Sequence, residues 1–167
     1  LTTTRLISTP LISRLLLSLC LLMLSFLARA ESDDEFLPVG EAFKVSAEVE
    51  GNLIHYRWAV ADGYYLYKHR FSFAPSMNEA GETSVGAVGE PRFEQEGEWK
   101  DDPIFGRVLV FHNQVDVRVP VTATDGGFIE VAAGYQGCAD KGLCYIPQTY
   151  TNMFQVDPAA IAAAGTD

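Results

Sequence analysis

The chain has little cysteine and little histidine, three of each among 167 residues. The histidines, His55, His69 and His112, stand alone in strand-like surroundings, without the paired spacing of a zinc framework. No internal repeat and no long helix-periodic stretch is present, which argues against solenoids and helical bundles. Nor is there an apolar run long enough to span a bilayer: "LLLSLCLLMLSFL" (15–27) falls short of the roughly 20 residues a spanning helix needs. Arg5 and Arg14 precede that run and Ala28-Arg29-Ala30 follows it, so residues 1–30 read as a cleavable secretory signal rather than an anchor. Leu19 stands where a lipidation box needs a small residue, and Cys20 is expected to leave with the signal.

Basic side chains are scarce as well. Residues 1–30 hold three arginines and no acid, so nine basic and 22 acidic side chains remain after them, a net charge of about −13. Such a surface repels nucleic acid and anionic lipid. Residues 31–167 suit one domain with its own core. Their only cysteines are Cys138 and Cys144, in an exported segment that permits disulfides.

What the segment does have is period-two alternation. Phe43, Val45, Ala47 and Val49 share one face, as do Ile54, Tyr56, Trp58 and Val60. In 115–121 four valines point inward, while Asp116, Arg118 and Pro120 point out. Pro120 cannot donate to a ladder, which predicts an edge strand or a strand end. Further strands are expected at 64–73, 107–112, 127–135 and 149–156, with turn signals at 62–63, 79–81 and 125–127. About seven short strands without a helical pattern predict an all-β, antiparallel, immunoglobulin-like sandwich, with a small closed barrel as the other solution. Residues 77–106 read mainly as loop, with a short strand near 85–88. Asp157, Pro158 and Gly165 predict one or two helical turns in the tail.

The cysteines lie six positions apart in "GYQGCADKGLCYIPQT" (134–149), and three readings fit them. A structural staple closing about seven residues contributes only roughly 2.4 kcal/mol in the chain-entropy model. A metal site would need histidines that are not suitably spaced. A redox pair uses the proximity of the two thiols, so that one resolves a mixed disulfide formed by the other. The spacing is wider than C-x-x-C, and no helix N-terminus follows to depress a thiol pKa.

This segment closely resembles the cysteine segment of the amino-terminal periplasmic domain of the membrane thiol:disulfide interchange protein DsbD. "DGYYLYKHRF" (62–71) and "WKDDPIFG" (99–106) resemble the same family, and the order of motifs supports the likeness from about 36 to 156. The resemblance implies an immunoglobulin-like domain, without cofactor or metal, acting as a protein-disulfide reductase. It implies electrons received from a thioredoxin-like carboxy-terminal domain of the same system. They would pass to periplasmic disulfide isomerases and cytochrome c maturation thioredoxin-like proteins, with no nucleic-acid partner. Cys144 is then the cysteine that forms the mixed disulfide and Cys138 the one that resolves it. Tyr65 and Tyr67 match tyrosines of the site wall. The segment from Asp101 and Asp102 through Ile104 and Phe105 to Gly106 matches a cap loop over the cysteines. The chain departs from the family at Pro103 and Ile104, where an acidic residue and a phenylalanine are usual, so either Ile104 or Phe105 supplies the shield. The expected organisation is a signal at 1–30, the domain at 31–157, and a tail or linker at 158–167 leading towards a membrane domain. A secreted adhesion or carbohydrate-binding sandwich with a purely structural disulfide is the alternative function.

Overall fold

Twelve short strands form three antiparallel sheets in the computed structural model, which describes residues 36–77 and 84–165. The expected signal at 1–30 and the turn signal at 79–81 lie outside the described residues. In chain order the strands are β1 (Phe43–Glu50), β2 (Leu53–Val60), β3 (Tyr64–Tyr67), β4 (Ser72–Pro75), β5 (Gly86–Val88) and β6 (Arg92–Phe93). They continue with β7 (Glu98–Asp102), β8 (Gly106–Phe111), β9 (Gln114–Thr124), β10 (Phe128–Tyr135), β11 (Gly137–Ala139) and β12 (Gln148–Gln155). Short helices α1 (Val39–Ala42) and α2 (Pro158–Ala164) flank them.

The first sheet runs β1-β2-β9-β5, with β6 also on β9, the second β12-β10-β4, and the third β11-β3-β8-β7. The alternation read from the sequence builds the core between the first two. Ile54, Tyr56 and Trp58 of β2 and four valines of β9 are buried against Val131, Ala133 and Tyr135 of β10 and Phe154 of β12. Tyr56 meets Phe73 at 5.2 Å and Phe154 at 5.8 Å, while Trp58 meets Phe71 at 4.9 Å and Tyr135 at 5.7 Å. Two antiparallel sheets closing on an aromatic and β-branched interior make the immunoglobulin-like sandwich. At the end of the chain, α2 starts as read: Asp157 caps Ala159 N–H at 2.9 Å, and Ile161 packs against the core.

Three expectations are corrected. The strand read at 64–73 is two strands in different sheets, parted by a 3-10 turn at Lys68–Arg70. All of β3 is buried, since Tyr64 and Leu66 face the main core while Tyr65 and Tyr67 face a second, smaller cluster. β9 is not an edge and does not end at Pro120: it pairs with β2 on one side and with β5 and β6 on the other. Pro120 is tolerated because the β5–β9 register shifts beside it, and its carbonyl still accepts from Gly89 N–H at 2.7 Å. Asp116 consequently does not face solvent but is buried under Arg57, Gln95 and Gln114, which all donate to it. Finally, 84–106 holds, besides the short strand expected near 85–88 (β5), two strands that were read as loop, β6 and β7, because their partners lie far away in sequence or across a turn.

Candidate functional site

Cys138 lies in β11, and a turn at 139–142 returns the chain so that Cys144 faces it as a cross-strand pair. Ala139 N–H donates to Leu143 O at 2.7 Å and Tyr145 N–H to Gly137 O at 3.0 Å. The cysteines therefore occupy a non-hydrogen-bonded position, where side chains approach most closely. They form a disulfide with Cα atoms 4.0 Å apart. β11 can lie this close to β3 because residue 137 is glycine: a Cβ there would meet Tyr65 O at 2.3 Å and Phe43 Cζ at 2.6 Å. The two cysteines differ sharply in exposure. Cys138 is completely buried, whereas Cys144 is exposed.

Behind Cys138 lies the small cluster of Tyr65, Tyr67 and Val110, with Val108 beside it. The Tyr67 hydroxyl lies 3.3 Å from Cys138 Sγ and 3.4 Å from the Tyr65 hydroxyl, and it donates to Asp102 Oδ2. Asp102 is buried, 7% exposed, at the end of β7. Burial works against its charge. The hydrogen bonds from Tyr67 and from the amides of Phe105 and Ile104, together with Lys100, outweigh that and hold its pKa below the usual carboxylate value. Burial first, and then the bond to Asp102, push the Tyr67 hydroxyl far up, so it stays protonated. Lys100 sits 4.6 Å above the Tyr65 ring and pairs with Asp140 of the cysteine turn at 3.4 Å.

The sequence segment likened to a cap is the turn between β7 and β8. Asp102 Oδ1 accepts from Ile104 N–H at 2.8 Å and Phe105 N–H at 2.9 Å, which curls the chain over its own carboxylate. Gly106 closes the turn at φ +72°, a conformation that disfavours other residues. Phe105 rests on Tyr67 at 5.3 Å and on His69 at 5.0 Å, with Arg70 over its ring at 5.4 Å. Burial, then the charge of Arg70, lower the His69 pKa against the pull of Asp102. Ile104 stands at the tip, 73% exposed. Asp101 is exposed and, by strand alternation, on the opposite face of β7 from Asp102.

The structure thus gathers Cys138, Cys144, Tyr65, Tyr67, Asp102 and Phe105 on one face of the third sheet, and leaves Asp101 and the side chain of Ile104 outside the hydrogen-bonded and ring-packed cluster. Val110, Lys100 and Arg70 join the site without having been singled out from the sequence, and His69, weighed there only as a metal ligand, joins them. Their signal was positional only, since His69 and Arg70 follow Tyr67 within the same motif. Among the described residues no group of three His, Cys, Asp or Glu side chains could hold a metal ion. Chemically, the arrangement presents one accessible sulfur bonded to one inaccessible sulfur, beside a hydroxyl held by a buried carboxylate.

A sequence-family profile described as thiol:disulfide interchange protein DsbD, N-terminal, matches residues 33–156. The chain is 38% identical over 133 residues to thiol:disulfide interchange protein DsbD 1 of Pseudomonas aeruginosa, covering 79% of the chain and 21% of that protein. With the DsbD protein of Vibrio cholerae it shares 37% identity over 120 residues, 72% of the chain and 18% of that protein. The chain therefore spans about a fifth of the length of these curated relatives. Among solved structures, the Neisseria meningitidis DsbD N-terminal domain in the reduced form matches with a TM-score of 0.61 and 30% identity, over 72% of this chain and 90% of that one. A complex between the DsbD N-terminal and PilB N-terminal domains of Neisseria meningitidis matches with a TM-score of 0.57 and 30% identity, over 71% and 86%.

Proposed function

The chain belongs to the family of thiol:disulfide interchange protein DsbD amino-terminal domains, and from that premise we propose that Cys138 and Cys144 form a two-electron carrier between thioredoxin-like proteins. The domain works in the periplasm, reached by the signal at 1–30. It receives electrons from a thioredoxin-like carboxy-terminal domain of the same system and reduces periplasmic disulfide isomerases and cytochrome c maturation thioredoxin-like proteins. The observation that carries the reading is the unequal exposure of the bonded cysteines.

On loading, a donor thiolate attacks Cys144 Sγ, and the Cys138–Cys144 bond breaks with Cys138 leaving as a thiolate that then takes up a proton. The Tyr67 oxygen, 3.3 Å from Cys138 Sγ and already donating its own proton to Asp102, is placed to accept a hydrogen bond from the Cys138 thiol once it is protonated. The donor's second thiolate attacks its own sulfur and frees Cys144, so one disulfide is lost here and one is formed in the donor. Delivery reverses the roles: Cys144 attacks the acceptor disulfide, and Cys138 attacks Cys144 to release the reduced acceptor. Entry through Cys138 is closed by its burial, and Phe105 on Tyr67 limits adventitious access.

The reduction potential tests this reading. Equilibration with a thioredoxin-like reference protein should place the pair within the carrier range, roughly −120 to −270 mV. A value below about −300 mV, typical of structural disulfides, would overturn the reading and support a purely structural bond.

A further inference from the structure

We propose that Tyr145 is a positioning residue for Cys144, and that it acts by tying the outer strand of the cysteine hairpin to the backbone of Leu37. This rests on the exchange function proposed above.

Cys144 has few supports of its own. Leu143 and Ile146 on either side are exposed, Pro147 follows, and the residues flanking Cys144 make one backbone bond each to β11, at Leu143 and Tyr145. Tyr145 is the neighbour that is anchored. Its hydroxyl donates to Leu37 O, its carbonyl accepts from Gln136 Nε2 at 2.9 Å, and its ring stands edge-on to Phe43 at 5.5 Å. Gln136 is braced in turn by Arg70 Nε at 2.7 Å. Leu37 is held from its other side, where its N–H donates to the Tyr64 hydroxyl at 2.8 Å, and Phe36, Leu37 and Val39 pack on the main core. The residues adjoining the two halves of the site, Tyr64 before Tyr65 and Tyr145 after Cys144, thus meet at the backbone of one residue, Leu37, in the segment leading into α1.

The consequence concerns the reduced state. With the disulfide closed, the covalent bond holds Cys144 opposite Cys138 whether or not the clamp is present. Once it opens, the clamp through Tyr145 is what keeps the exposed thiol near the buried one, and so sets the effective concentration at which they recombine. Two constraints on one short segment are coupled: removing the clamp frees the open form more than the closed form. The oxidation equilibrium should therefore shift towards the dithiol.

The test is the equilibrium constant of the intact chain in glutathione redox buffers for wild type, Tyr145→Phe and Tyr64→Phe, with urea unfolding of both redox forms. Tyr145→Phe removes only the hydroxyl, and should lower the constant for disulfide formation roughly two- to tenfold, the scale of one hydrogen bond. Its oxidised form should lose more stability than its reduced form. Tyr64→Phe should shift the constant the same way by less, and carries the test if Tyr145→Phe does not fold. An unchanged constant, with equal loss of stability in both forms, would reduce Tyr145 to ordinary packing and overturn the proposal. Glutathione needs no protein partner, so failure of wild type to exchange with a thioredoxin-like protein would sink the proposed function while leaving this result intact.

Discussion

Between β2 and β10 the interior is filled by Trp58, Tyr56, Phe73 and Phe154, whereas the space behind Cys138 holds two tyrosine hydroxyls, a buried carboxylate and little aliphatic surface. The first region stabilises in proportion to the apolar area it removes from water. The second contributes little area, and what it fixes is the placement of a few polar atoms around a sulfur. On the proposed function, separating the two would let the covalent bond at the site open and close while the sandwich stays folded.

The comparison can be broken most severely in the sandwich. Trp58→Ala should cost about 3–5 kcal/mol of stability, the usual range for a buried large aromatic, measured by urea unfolding. Comparable losses from substitutions behind Cys138 would mean that the two regions form one cooperative core. Reduction of the disulfide should cost less, about 2.4 kcal/mol for a loop of seven residues, and leave the circular dichroism of the fold in place. Unfolding on reduction at room temperature would turn the pair into a staple.

Tyr67→Phe should cost about 1.5 kcal/mol at neutral pH, the low end for a hydrogen bond to a charged group, because Asp102 keeps its two amide donors. The sign with pH follows from the lowered pKa of Asp102. A carboxylate held below its unfolded value of about 3.9 contributes stability that is present above that pH and lost as pH falls through the folded value. The difference between wild type and Tyr67→Phe should therefore shrink below about pH 4, which acid titrations of both proteins would reveal. A gap that persists unchanged into acid would mean that Tyr67 acts through packing alone.

The smallest effect on stability is expected at the cap turn, where Phe105 is 39% exposed. Phe105→Ala removes ring contacts of about 0.5–1.5 kcal/mol, so oxidation of the reduced pair by a small-molecule disulfide should speed up roughly two- to tenfold. Stopped-flow rates that do not change would show that the turn shields nothing.

Much of the first region was legible because one face of each strand is buried. The alternation around Tyr56 and Trp58, the valines of β9 and the Asp157 cap all carry their structure locally. The second region was not, since β3 is buried on both faces, and a four-residue run of that kind cannot be split from its continuation by periodicity. The pairing of β7 with β8 was hidden in acidic, glycine-punctuated sequence whose turn is held by one carboxylate, Asp102. Asp116 looked solvent-facing because its three donors come from residues 57, 95 and 114, two of them far along the chain. Likewise Leu37 gives no sign that it meets Tyr145, 108 residues later. The cysteine segment was the exception, being both local and chemically distinctive.

The division of labour between the two cysteines is tested most directly by trapping. Cys138→Ser and Cys144→Ser variants would each be incubated with a thioredoxin-like protein carrying an oxidised active site, and the products separated on non-reducing gels. Cys138→Ser keeps the exposed thiol and should accumulate a stable mixed disulfide, while Cys144→Ser, left with a completely buried thiol, should give little. The reverse pattern, or equal trapping by both, would contradict the assignment of Cys144 as the cysteine that meets the partner.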